Sequence, residues 1–231
     1  MKTTKRTGHL IKTLGPLLFL SIGQWGHAQG TFQNLDFEHP LLPLSGLEVP
    51  ISSALPGWQG YFGSTEQGSV CYNTRALDAA AISLHTIGSD SFQPIRGSYS
   101  VFLQGSSMFS PPPIYSASLA QTGQIPSDAQ AIRFAAGQGS GGYIVTFAGQ
   151  GLPLFQVGSG SNYVVMAADI SGYAGQIGEL RFTANPQGGL YFDSVAFSST
   201  PIPEPTGPSL LGLVALALAW RSVSIARKYE L

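Results

Sequence analysis

The sequence predicts an all-β fold, a sandwich or a barrel, over its middle stretch, residues 29 to 200. Three observations carry that prediction. Short runs rich in β-branched and aromatic residues recur between clusters of Gly, Ser, Pro and Asn, which is the pattern of strands separated by turns. Twenty-three of the chain's 29 glycines fall in this stretch, most of them between the runs. Helical spacing of apolar residues is nearly absent.

In chain order the strand candidates are 32–37, 58–62, 69–72, 80–85, 98–104, 117–121, 130–136, 143–148, 152–157, 162–169, 178–183 and 190–197. Pro111-Pro112-Pro113 marks 108–115 as a stiff loop rather than a domain boundary. The glycine-rich run 137–142 lacks the Lys-Ser/Thr ending and the following helix of a phosphate loop, so it reads as a hairpin turn. Residues 167–176 read as a strand end followed by a loop or single turn. In 190–197, strict alternation puts Asp193 and Val195 on one face with Tyr191 and Phe197. At 172 residues, the stretch is long enough for one domain with its own core. Cys71 is its only cysteine, so no intrachain disulfide is available.

The two ends differ from the middle. Residues 1 to 28 have the layout of a secretory signal peptide, with Lys2, Lys5, Arg6 and Lys12 ahead of a short apolar run from Leu14 to Ile22. Small residues at Gly26 and Ala28 fit signal peptidase, which would leave Gln29 as the new terminus. At the other end, Pro201, Pro203, Pro205 and Pro208 form an extended spacer that cannot continue a strand. An apolar run follows, and residues 209–226 reach the roughly 20 residues a membrane span needs if Arg221 snorkels to the headgroups. Arg221, Arg227 and Lys228 then act as a membrane stop on the cytoplasmic side. The competing reading, a buried core helix, does not account for the proline spacer and the basic end. Both end segments are expected to be helical and not to pack on the middle domain.

Pro203-Glu204-Pro205, a short hydrophobic helix and a basic terminus together resemble the PEP-CTERM sorting signal of Gram-negative bacteria. The resemblance covers about the last thirty residues. It implies recognition by an exosortase and sorting to the envelope surface or extracellular matrix. Arg221 interrupts the hydrophobic segment, and the basic residues are not contiguous, so the match departs from the pattern there.

A second resemblance lies in the middle. Asn34-Leu35-Asp36-Phe37-Glu38, then Pro56-Gly57-Trp58, and finally Leu190-Tyr191-Phe192-Asp193-Ser194-Val195, are similar to the first and last strands of galactose-binding-like jelly-roll domains. That likeness implies an antiparallel two-sheet β-sandwich with its first and last strands adjacent. It also implies a structural calcium held by Glu38 and Asp193, although Ser194 stands where the family carries a second Asp.

Charge narrows the function. Residues 29 to 200 contain no lysine and set four arginines against ten carboxylates, a net charge of −6. Such a surface has no electrostatic footprint for nucleic acid. His39 and His85 are too few for a histidine-based metal site. No Gly-x-Ser-x-Gly or His-Glu-x-x-His motif occurs. Trp58, Tyr61 and Phe62 read as core more readily than as a sugar-stacking platform. Arg133 and Arg181 are expected to pair with some of the surplus carboxylates. The expected function is that of an exported, non-catalytic envelope or matrix protein. Its membrane contact is the tail, its processing partners are signal peptidase and exosortase, and its β-domain is expected to bind extracellular polysaccharide. The alternative is a secreted glycan-active hydrolase on the same scaffold, which would need two carboxylates facing one cleft.

Overall fold

The structure, a computed structural model, describes residues 31–88 and 93–202. The signal-like segment 1–28, the Pro203-Glu204-Pro205 motif, the apolar run 209–226 and the basic residues Arg221, Arg227 and Lys228 lie outside the described residues. Among the described residues no helix is long and apolar enough to cross a membrane.

The described chain is all-β. Its strands are β1 (Glu48–Pro50), β2 (Gln59–Phe62), β3 (Thr65–Gln67), β4 (Ser69–Tyr72), β5 (Ala81–Thr86), β6 (Tyr99–Gln104) and β7 (Ala117–Gln124). They continue with β8 (Ala131–Gly137), β9 (Gly141–Phe147), β10 (Gln150–Gly151), β11 (Phe155–Ser159), β12 (Tyr163–Asp169) and β13 (Ile177–Ser198). One four-residue helix, α1 (Ile51–Ala54), and a single 3-10 turn at Ser171–Tyr173 complete it.

These strands belong to one hydrogen-bonded sheet rather than two separate ones, and β13 is its spine. The first half of β13 lies between β7 and β9, and its second half lies between β6 and β8. Phe182 and Phe192 are ten positions apart on β13. A straight strand would separate them by roughly 33 Å. Their rings instead stack with centroids 4.6 Å apart. The spine is therefore bent sharply, and the sheet folds over it. The first wing runs β11-β12-β8-β13-β6-β5-β4-β1, and the second runs β3-β2-β7-β13-β9-β10.

The bend falls at the Asn185-Pro186-Gln187-Gly188 stretch, where glycines let three backbones meet. A Cβ on Gly188 would run into the Gly142 carbonyl, and one on Gly105 into the Asn185 carbonyl. Gly142 itself has φ +63°, a conformation that costs L-residues. This corner corrects the hairpin expected at 137–142. β8 and β9 do not pair with each other; they lie end to end along β13. The runs 178–183 and 190–197, read separately from sequence, are likewise one strand.

Two further corrections follow. The pairs are antiparallel except β4–β5, which is parallel and sets Cys71 beside Ser83. The expected first strand, 32–37, is a turn with positive φ at Asn34 and Phe37. A strand would point Leu35 and Phe37 the same way and Phe32 the other. All three are buried in the core, and only a twisted backbone permits that. The segment still lies beside the last strand, since Val195 N–H donates to the Leu35 carbonyl at 2.9 Å. The first strand proper, β1, is instead an edge paired with β4.

The core between the wings is aromatic. Phe134, Phe182 and Phe192 contact one another across the fold, and Phe37 and Trp58 close one side. Burying each such ring contributes about 1.5–3 kcal/mol.

Candidate functional site

Glu38 and Asp193 start from distant parts of the sequence and meet on one short segment, the strap 93–99. Glu38 accepts hydrogen bonds from Ser98 N–H, at 2.9 and 3.0 Å to its two oxygens, and from Tyr99 N–H at 3.1 Å. Asp193 accepts from Arg96 N–H at 3.0 Å and from the Ser100 hydroxyl at 2.7 Å. Its second oxygen takes Ser194 N–H. Ser100 Oγ in turn accepts Ile95 N–H at 2.8 Å. The two acids and one serine thus satisfy four main-chain donors of a loop that would otherwise leave them unpaired. Gly97 is required in the strap. It has φ +58°, and a Cβ there would collide with the Glu38 carboxylate.

A bulge in β13 aims Asp193 at the strap. The pairing with β8 slips between Asp193 and Ala196, and Ser194 takes φ +53°. Simple alternation fails at this point. Tyr191 and Asp193 face the strap, while Phe192 and Val195 both face the main core.

Calcium needs six to eight oxygens in one place. Here the oxygens of Glu38 and Asp193 are met by N–H and O–H donors, whose positive ends oppose a cation. Among the described residues no three His, Cys, Asp or Glu side chains gather as a metal set. The donor set describes a hydrogen-bonded clamp on the strap.

Beneath the strap lies the outward face of the first wing. Ser100 and Asp193 are buried there, and His85 is buried against the Tyr191 ring. Tyr191 packs with Ile95, Ala135, Phe102 and Tyr163, and its hydroxyl donates to the Gln93 carbonyl at 2.7 Å. Arg96 stacks over Tyr163 at 4.9 Å and donates to its hydroxyl at 2.6 Å. Burial pushes the Asp193 carboxyl up to about 6, against the pull of its hydrogen bonds from Ser100, Arg96 and Ser194; the Glu38 charge adds to the rise. Burial, with Arg75 nearby, brings His85 down to about 4. A Ser, a His and an Asp are thus close, but not as a nucleophilic triad. Ser100 donates its proton to Asp193 and accepts from the Ile95 amide, which is not the serine-to-histidine relay that activates a hydroxyl.

The other sequence candidates separate. Trp58 is core, and its ring N–H donates to the Asn34 carbonyl at 3.0 Å. Phe62 packs against the same core. Tyr61 faces outward on the second wing, with the Arg181 guanidinium 4.3 Å above its ring. Arg181 pairs as expected, donating to both oxygens of Glu179 at 2.7 and 3.0 Å. Arg133 instead donates to the Pro201 carbonyl at 3.4 Å. His39 is exposed, 3.9 Å from Asp36. Sequence reasoning missed the strap partners Ser100 and Arg96 and the Tyr61–Arg181–Glu179 group. The one signal available for the latter was Glu179 and Arg181 at alternate positions of a strand.

No known protein family and no curated protein sequence matches this chain. Among solved structures, it aligns with the enzymatically active domain of tailspike protein 4 of bacteriophage CBA120, with a TM-score of 0.35 and 13% identity. The alignment covers 62% of this chain and 19% of the tailspike chain. A likeness of that size identifies neither activity nor ligand.

Proposed function

We propose that this chain is an exported cell-envelope or extracellular-matrix protein. In this reading a signal peptide (1–28) is removed, and a PEP-CTERM tail (201–231) anchors the chain and is read by an exosortase. The domain between them is a non-catalytic jelly-roll β-sandwich that binds glycan. The observation that carries the reading is the order of proline spacer with Glu204, apolar run and basic end. The fold is compatible with it. Thr31 N–H is held by the Gln124 carbonyl and Pro201 by Arg133. Both of these described residues sit near the ends of β13 remote from the bend. The non-catalytic assignment rests on the lack of a Gly-x-Ser-x-Gly or His-Glu-x-x-His motif in the sequence, and it agrees with Glu38 and Asp193 being taken up by the strap.

The test is a blot of cell fractions from a host that carries an exosortase. The parent chain is expected to yield a shortened product at the surface or in the medium. Glu204→Gln, or Pro203→Ala with Pro205→Ala, is expected to leave an unshortened, membrane-held product with an intact domain. Identical behaviour of parent and variants would reduce the motif to a linker.

A further inference from the structure

We infer that the outward face of the second wing is a binding site for a neutral saccharide, seated on the Tyr61–Arg181 stack. This deepens the glycan-binding reading above and rests on it. Strand register puts Gln59 and Tyr61 of β2, Thr122 of β7, and Glu179 and Arg181 of β13 on one side of the sheet. The floor between them is made of small residues, Ser118, Ala120 and Thr183, all buried. Ser118 and Thr183 share a hydrogen bond of 2.9 Å, so the floor's hydroxyls satisfy each other. The result is a strand face with a floor of small buried residues and a planar stack on it.

The chemistry of that surface matches a sugar. A pyranose offers a C–H face that packs on planar groups and a ring of hydroxyls that need donors and acceptors at fixed positions. The guanidinium, backed by the Tyr61 ring beneath it, supplies the plane. Glu179 occupies two of the five N–H donors of Arg181 and holds the group in place. Gln59 and Thr122 are exposed and bring both donors and acceptors. Charge selects the class of saccharide. Arg181 is neutralised by Glu179 within a domain whose net charge is −6. No surplus cation is therefore present for a uronate or sulfate, and a neutral glycan meets no repulsion. On the first wing the corresponding tyrosine, Tyr163, is engaged by the strap, with Arg96 stacked on its ring and donating to its hydroxyl.

Affinity electrophoresis of the purified full chain tests this, in native gels containing dextran, galactomannan, xyloglucan or alginate. The parent is expected to be retarded in at least one neutral gel and to run freely in alginate. Tyr61→Ala is expected to weaken retardation at least tenfold. Thr122→Arg, which places a bulky cation on an exposed position of the face, is expected to do the same and keeps the test open if Tyr61→Ala fails to fold. Tyr163→Ala, on the first wing, should behave as the parent, with circular dichroism melting reporting folding throughout. A parent retarded equally with both second-wing variants would overturn the site and leave glycan binding standing elsewhere. Retardation by alginate alone would overturn the neutral class. Free migration in every gel would overturn both the site and the glycan reading.

Discussion

The two wings share a spine strand and a core, yet their outward faces end in opposite states. Each carries one arginine stacked on one tyrosine, Arg96 on Tyr163 and Arg181 on Tyr61. On the second wing both partners are strand residues, and the surface around them stays open. On the first, Arg96 arrives on the strap, and the strap engages the buried Ser100 and Asp193 and the Tyr191 hydroxyl beneath it. The difference teaches that the fate of a strand face depends on what crosses over it. Under the strap, Ser100 and Asp193 find their partners within the protein, whereas Gln59 and Thr122 on the open face are exposed to solvent.

The largest expected effect separates the wings directly. Asp193→Ala leaves the Arg96 and Ser194 amides and the Ser100 hydroxyl without their buried acceptor, at a cost of about 3 kcal/mol. Glu179→Ala, which removes the ion pair of the open face, should cost less than about 1 kcal/mol. Urea unfolding midpoints measure both, and equal losses would break the contrast. Next, Gly97→Ala combines a left-handed backbone with a collision against Glu38, and about 2 kcal/mol is expected. Gly151→Ala, with open space around its Cβ position, should change the midpoint little.

The pH response should belong to the roofed wing alone. Between about pH 4 and 6 the folded domain holds a proton on Asp193 that the unfolded chain has released, so this group's contribution is full below that window and is lost as pH rises through it. His85 acts oppositely: from about pH 6.5 down to 4 the unfolded chain binds a proton that the fold refuses, so stability falls as pH falls. Each slope is worth at most about 2–3 kcal/mol, and in the parent the two oppose each other. Thermal melts across pH 4 to 7 should show a steeper acid loss in Asp193→Asn and the reverse slope in His85→Gln. Flat profiles in both variants would mean that neither group is held as described. The smallest effect concerns calcium. Adding millimolar calcium or EDTA should leave the melting temperature of the parent unmoved, and a rise of several degrees with calcium would replace the clamp with a metal site.

Much of the fold was legible because strand propensity and turn chemistry are local. Eleven of the twelve expected runs overlap observed strands; only 32–37 is not a strand. The short edges β1 and β3, three residues each, carry too little pattern to be read. Pro186 and the glycines after it look like a strand break, so β13 was read as two strands, while the structure uses the same residues as a bend within one. The convergence of Glu38 with Asp193 was legible only through family resemblance, and its chemistry was not, since the partners are main-chain amides that every sequence contains.

By itself the sequence determined that this is an all-β chain with an acidic, lysine-free middle and distinct apolar ends. Those properties follow from residue type and nearest neighbours. The tertiary structure alone decided that β13 doubles back to stack Phe182 on Phe192, that a bulge turns Asp193 toward the strap, and that one outward face is roofed while the other is open. Each depends on segments far apart in sequence approaching within hydrogen-bonding or ring-contact distance, and no local pattern records that approach.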